Sequence, residues 1–198
     1  MESKAQEIFR KYGGQLKMSQ AISHGITRYM LYSLYNRGVL EKVTRGVYRL
    51  KELNPISNPD LVTVAVRYPK AVICLVSALA FHEMTTQIPH DVSVSVPKDS
   101  RRIDIQSPPV ITHKFSKESY IAGIKELKID GVTVRIYNPE KTLTDCFKFR
   151  NKIGFDIFLE AIKLYKSRYK PKLGDIMRYA KICRVESLIK PYLESTLT

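Results

Sequence analysis

The chain has 198 residues and a mass of 22.8 kDa, enough for one or two domains. With 44 % apolar residues it can build a real core, which excludes a disordered tail, and its formal charge of +14 at pH 7 predicts an anionic partner. Its 3 cysteines, Cys74, Cys146 and Cys183, lie far apart and form no CxxC pair, which excludes a secreted disulfide framework and a structural zinc site.

No apolar run approaches the ~20 residues of a membrane span. The segment Met1 to Lys11 is polar and unlike a signal peptide. The expectation is a cytoplasmic protein with no membrane association. Charge is unevenly spread: +6 over residues 1–50, −1 over 51–100, +4 over 101–150 and +5 over 151–198. Two basic parts around a neutral stretch suggest two domains.

Ser3 to Tyr12 reads as a helix, with Ser3 and Gln6 at capping-box spacing and Ala5, Ile8, Phe9 and Tyr12 as its apolar stripe. Gly13 and Gly14 end it. Leu16 to Ser23 reads as a second short helix, followed by a turn at Gly25. Thr27 caps a third helix reaching about Arg37, with Gly38 just beyond its end. Met30, Leu31 and Leu34 form its apolar face, with Arg28, Tyr29, Tyr32, Ser33, Asn36 and Arg37 largely opposite. Tyr35 reads as half core. Leu40 to Leu50 reads as a hairpin around Thr44-Arg45-Gly46.

Three helices with a glycine turn before the third, then a basic hairpin, spell a winged helix-turn-helix. Such a fold lays a helix in the major groove and a positive hairpin tip on the backbone. Arg28, Tyr29, Tyr32, Asn36 and Arg37 are the expected groove residues. Lys17, Ser19, Gln20, Lys42 and Arg45 are the expected backbone contacts, and Thr27, the cap, completes the DNA-binding set. The bland alternative is a trihelical protein-interaction module.

Residues 51–59 (KELNPISNP) form the expected linker between a DNA-binding domain at 1–50 and a larger domain at 60–198. In the latter, Asp60 to Tyr68 reads as a helix and Ala71 to Leu75 as a buried strand. Ser77 reads as the cap of a helix through Met84. Strands are expected at Asp91 to Val96, with Val92, Val94 and Val96 on one face and Pro97 ending it, and at Val110 to Phe115. Leu127 to Tyr137 reads as a hairpin around Asp130-Gly131. Asn138-Pro139-Glu140 has the chemistry of a helix start. Leu143, Cys146 and Phe147 face the core from that helix. Three more helices are expected near 155–166, 172–182 and 185–196, with Pro191 kinking or dividing the last. The fold class is α+β: an N-terminal winged helix-turn-helix plus a larger C-terminal α+β domain, a mixed or antiparallel sheet followed by a helical bundle.

His24, His82, His90 and His113 fall in no metal-ligand or deaminase spacing, and there is no GxGxxG, Walker loop or GxSxG. His82-Glu83 reads as a helix-surface pair, Cys146 as a buried thiol, and Asp145 with Lys141 and Lys148 as helical charge pairing. No catalytic residue, metal or cofactor is expected, and the protein reads as a non-enzyme. Lys148, Arg150, Lys152, Lys163, Lys166, Arg168, Lys170 and Lys172 form a C-terminal basic cluster. It suits either a nucleic acid or acidic toxin surface, or merely a solvated face.

Tyr12-Gly-Gly through Gly25-Ile26, with Leu34, Gly38-Val39-Leu40 and Arg45-Gly46-Val47-Tyr48, resembles the winged helix of AbiEi-type antitoxins. Ser77-Ala78-Leu79 with His82 and Gln87-Ile88-Pro89 resembles that family's C-terminal domain, as does the stretch from Val134 to Phe147 containing Pro-Glu-Lys-Thr-Leu-Thr-Asp. The segments from Ala161 to Leu193 continue the match. The chain departs from it at His82-Glu83-Met84-Thr85, where members often have a glycine after the histidine.

The resemblance implies an antitoxin of an abortive-infection, type IV toxin–antitoxin system. Its functional partner would be an AbiEii-type, nucleotidyltransferase-like toxin, neutralised by the C-terminal domain without a stable complex. Its winged helix would repress the shared promoter at inverted repeats in double-stranded DNA. Two winged helices per site would come from a weak dimer or from cooperative monomers. The alternative is a stand-alone DNA-binding transcriptional regulator without antitoxin activity.

Overall fold

The structure is a computed structural model that describes residues 4–53, 57–105 and 107–197. The Ser3 end of the expected capping box and residues 54–56 of the expected linker lie outside the described residues. The chain forms two compact units: residues 1–67 with 128–133, and residues 68–127 with 134–198.

The first unit opens with α1 (Lys4–Lys11), whose Ala5 and Phe9 are buried. β1 (Gln15–Lys17), α2 (Met18–Ser23), α3 (Arg28–Asn36), β2 (Leu40–Thr44), β3 (Val47–Leu50) and α4 (Pro59–Arg67) follow. The three strands form an antiparallel sheet in the order β1-β3-β2. Ala5, Phe9, Leu16, Ala21, Ile26, Leu31, Leu34, Leu40, Tyr48 and Leu50 make one core. α3 follows its sequence chemistry closely: the Thr27 hydroxyl accepts from the Met30 N–H at 3.2 Å, and Gly38 takes φ 71° just beyond Arg37.

One expectation fails here. Leu16 and Lys17 are not helical; they pair with Tyr48 and Val47 of β3. The sheet gives Leu16 a buried place that a helix starting there would not, so pairing overrides local propensity. α4 groups with this unit and buries every residue from Leu61 to Val66. The boundary between compact units, after Arg67, does not coincide with the linker expected at 51–59.

The second unit contains β4 (Val72–Ile73), α5 (Leu75–Phe81), β5 (Val92–Pro97), β6 (Val110–Phe115), α6 (Lys117–Ile121) and most of β7 (Ile124–Ile129) and β8 (Val132–Tyr137), whose connected ends at 128–133 group with the first unit. The helices α7 (Pro139–Lys148), α8 (Arg150–Ile153), α9 (Phe155–Arg168), α10 (Leu173–Cys183) and α11 (Glu186–Leu197) end it. Its sheet is mixed, in the order β6-β5-β4-β8-β7, with β4 antiparallel to β5 and parallel to β8. The molecule is thus α+β.

Several local readings change. The β4 strand is shorter than expected because α5 begins at Leu75. Ser77 lies inside α5 instead of capping it; its buried hydroxyl donates to the Asp91 carbonyl at 3.2 Å and accepts from the Ser93 N–H at 2.9 Å, stitching helix to strand. β5 is buried from Val92 to Val96 on both faces: β4 and β6 cover its edges, and α5 and α6 pack against it. Pro97 is its last residue. α6 and α8 are short helices the sequence reading did not anticipate. α11 runs through Pro191 undivided. The start of α7 is as expected: Asn138 Oδ1 accepts from the Lys141 N–H at 2.8 Å and Pro139 occupies the first turn.

Candidate nucleic-acid interface

α3 presents two faces. Leu31 and Leu34 are buried, whereas Tyr29 is 83 % exposed and Arg28, Tyr32 and Asn36 also face solvent. At 100° per residue, Arg28, Tyr29, Tyr32 and Asn36 fall on one side of the helix. Arg37 does not join them. It is the C-cap, at the far end of the helix, and its Nε donates back to the Ser33 carbonyl at 3.4 Å.

The sheet brings a second group together. The Met18 N–H donates to the Gly46 carbonyl at 2.8 Å, so the hairpin tip is fixed beside the start of α2. Gly46 sits at φ 74°, a left-handed turn position that a side chain would strain. Lys17, opposite Val47, Ser19 and Arg45 therefore share one neighbourhood. Gln20 is tied down: its Oε1 accepts from the Lys17 N–H at 3.0 Å. Thr27 likewise spends its hydroxyl acceptor on the helix cap. Lys42 stands opposite Tyr48 on the same face of the sheet and is exposed.

Tyr48 is the residue that sequence reasoning missed. It is 4 % exposed, and the Tyr35 ring meets it edge-on at 5.9 Å. Burial first, and then interaction with Tyr32, including a hydrogen bond, pushes its phenol above the ordinary range. Tyr48 thus joins the hairpin to the exposed side of α3. Beside it, Arg49 Nη1 meets Glu41 Oε1 at 2.9 Å across the hairpin. A turn at Arg45-Gly46 alone would set Glu41 opposite Leu50; the bulge between Lys42 and Thr44 shifts the register by one and brings Glu41 opposite Arg49.

Charge on this surface is one-sided. The sequence from Met18 to Leu40 contains no Asp or Glu. Glu41 is held by Arg49, and Glu52 is bound by Arg10 at 2.9 Å. The Tyr12 and His24 rings stack at 3.9 Å, fixing the end of α1 against the end of α2.

The other polar candidates serve the fold. His82 is not a surface residue: its ring is largely buried and Nε2 lies 2.7 Å from the Tyr137 carbonyl. Burial lowers its pKa. Cys146 is buried, as the sequence suggested, and burial raises its pKa. Within the C-terminal basic cluster, Arg150 donates to the Phe147 carbonyl and Lys166 to the Thr196 carbonyl, while Arg168 pairs with Glu83. Among the described residues no three His, Cys, Asp or Glu side chains converge as a metal site would require, and no helix is long and apolar enough to cross a membrane.

Residues 18–40, which carry α2 and α3, thus combine exposed aromatic and basic side chains with no Asp or Glu, on a unit of helices and a three-stranded sheet. Residues 3–51 match the family described as "Transcriptional regulator, AbiEi antitoxin". Over these residues the chain is similar to that family, in keeping with the resemblance read from the sequence. The crystal structure of the RV2827C protein from Mycobacterium tuberculosis is similar in fold, with a TM-score of 0.56 and 12 % identity over 89 % of this chain and 69 % of that one. No curated relative matches the sequence.

Proposed function

We propose that the N-terminal segment is a winged helix-turn-helix that binds double-stranded DNA, and that the protein is an antitoxin repressing its own operon. The observation that carries this reading is the AbiEi match over residues 3–51, on a segment whose α3 offers Arg28, Tyr29, Tyr32 and Asn36 to solvent. α3 enters the major groove, with Arg28 and Tyr29 nearest the bases. Lys17, Ser19 and Arg45 hold phosphates beside it, and Lys42 extends that contact along the hairpin. Gln20, Thr27 and Arg37 act mainly by shaping the helices that present the others.

Antitoxicity resides in residues 60–198, acting on a nucleotidyltransferase-like toxin of the AbiEii type. The protein works as a binder in the cytoplasm, without catalysis, and as a pair of copies on inverted repeats. The family match ends at residue 51, which favours, as a second reading, a stand-alone regulator without antitoxicity.

Co-expression separates the two. The full chain and residues 60–198 are each expressed with the neighbouring nucleotidyltransferase gene, and growth is scored. Rescue by both supports the antitoxin. Failure of both, while the full chain still shifts its promoter DNA, establishes the regulator alone.

A further inference from the structure

Outside the first unit, one open cavity of about 450 Å³ lies where α10 meets α11, lined by Met177, Lys181, Arg184, Glu186, Ser187 and Lys190. Its size falls in the range of ligand-binding clefts. Three of its six lining residues are cations, and the one acid, Glu186, leaves a positive balance. Among the described residues Lys181 and Arg184 make no ion pair, and Lys190 lies 3.8 Å from Glu194 on the surface. The Ser187 hydroxyl adds a neutral donor.

The backbone at Arg184 bears on the same point. Arg184 is the C-cap of α10 and sits at φ 59°, ψ 42°, a left-handed conformation usually given to glycine. A cation occupies the position where glycine would cost the fold least. Non-glycine residues held in such conformations concentrate at binding sites.

We propose that this cavity is a phosphodiester-binding site through which the second unit holds a nucleic-acid backbone, separately from α3. Charge complementarity selects the occupant: three exposed cations around an open depression suit phosphates passing along the surface. Recognition there is independent of base sequence, because contacts to phosphate carry no sequence information. Duplex DNA and single-stranded RNA present the same phosphodiester, and the test distinguishes them.

The full-length protein is titrated against a random-sequence DNA duplex and a single-stranded RNA between about 50 and 200 mM salt, reading fluorescence anisotropy. Arg184→Gly lowers the slope of log K against log salt by about 1, and Lys181→Gln/Arg184→Gly/Lys190→Gln by about 3, on at least one probe. The probe affected identifies the source of the phosphates. Arg184→Gly also keeps or raises the melting temperature, since glycine fits the left-handed position, so loss of binding cannot be loss of fold. The control Lys114→Gln/Lys125→Gln/Lys163→Gln removes three exposed charges elsewhere and changes the slope less. Equal effects of cavity and control variants on both probes, or no effect of the cavity variants, overturn the proposal. Neither result touches operator recognition, which is read separately with Tyr29→Ala.

Discussion

Lys141 and Asp145 face each other one turn apart on α7, with Nζ 2.6 Å from Oδ1 and neither side chain exposed at all. The ammonium also lies 4.4 Å from the centre of the Tyr137 ring and 4.9 Å from that of Phe115. Ser119 Oγ lies 3.5 Å from it, and the Cys183 thiol donates to Asp145 at 3.5 Å. Burial raises the Asp145 carboxyl above its ordinary range while Lys141 opposes the shift. The second unit is therefore built around a desolvated ion pair whose partners depend on each other.

Removing one partner leaves the other charged and buried. Lys141→Ala or Asp145→Ala should each cost about 3–5 kcal/mol, whereas Lys141→Met/Asp145→Leu should recover most of that. Urea unfolding of the three variants checks this. Equal losses for the double and single variants would show that the pair is not coupled.

Two histidines set the response to mild acid. Burial lowers the pKa of His82, against the opposing pull of the Tyr137 carbonyl, and that of His113, next to Lys152. Their unfolded values lie near 6.5, so the unfolded chain takes up protons first as pH falls. The stability they contribute is complete above pH 6.5 and is lost as pH drops through their lower folded values. Glu160 and Glu52 are held below 4.5 by hydrogen bonds, with partners Thr86 and Arg10 respectively, so their losses come at lower pH. Chemical denaturation from pH 7.5 down to about 5 should show a decline that His82→Gln reduces. A profile identical in wild type and variant would remove His82 from the account.

What was readable in the sequence was local chemistry. Thr27 and Gly38 bound α3, Asp130-Gly131 turns a hairpin, and Asn138-Pro139 starts α7, because each of these acts through its own backbone. Leu16 and Ser77 were misread, and the Lys141–Asp145 pairing was read without its burial, because their roles depend on partners far along the chain: a β3 strand, the Asp91–Ser93 edge of β5, and a ring of residues from four elements. A four-residue Lys–Asp spacing looks the same whether water or a core surrounds it. At the candidate interface, helical periodicity was enough to expose Arg28, Tyr29 and Tyr32. Tyr48 needed the hairpin register, and Arg37 needed its own bond back onto α3.

Gly123 approaches the same buried pair. It has φ 75°, its carbonyl accepts from the Asn138 N–H at 2.8 Å, and a Cβ there would lie 2.7 Å from Lys141 Cβ. Gly25 has a similar φ of 89° but open space around it. Gly123→Ala should therefore cost more than the roughly 1–2 kcal/mol of left-handed strain expected for Gly25→Ala. Paired thermal or urea melts decide it; equal losses would mean that Lys141 shifts freely.

The last prediction concerns α3. Tyr29 is 83 % exposed and Tyr48 is 4 % exposed, so removing each side chain tests a different function of the same surface. Tyr29→Ala should change stability by less than about 0.5 kcal/mol, because little packing is lost. Its affinity for promoter DNA should nevertheless fall by about 1–3 kcal/mol, and more for the operator than for random sequence. Tyr48→Phe removes only the hydroxyl that meets Tyr32, leaving the buried ring in place. It should weaken operator binding by loosening the hairpin against α3, at a stability cost of about 1 kcal/mol. Gel shifts on promoter and scrambled duplexes, with melts of each variant, separate these effects. If Tyr29→Ala binds the promoter as tightly as the wild type, α3 does not read DNA through its first turn, and the interface must be sought on another face of the first unit.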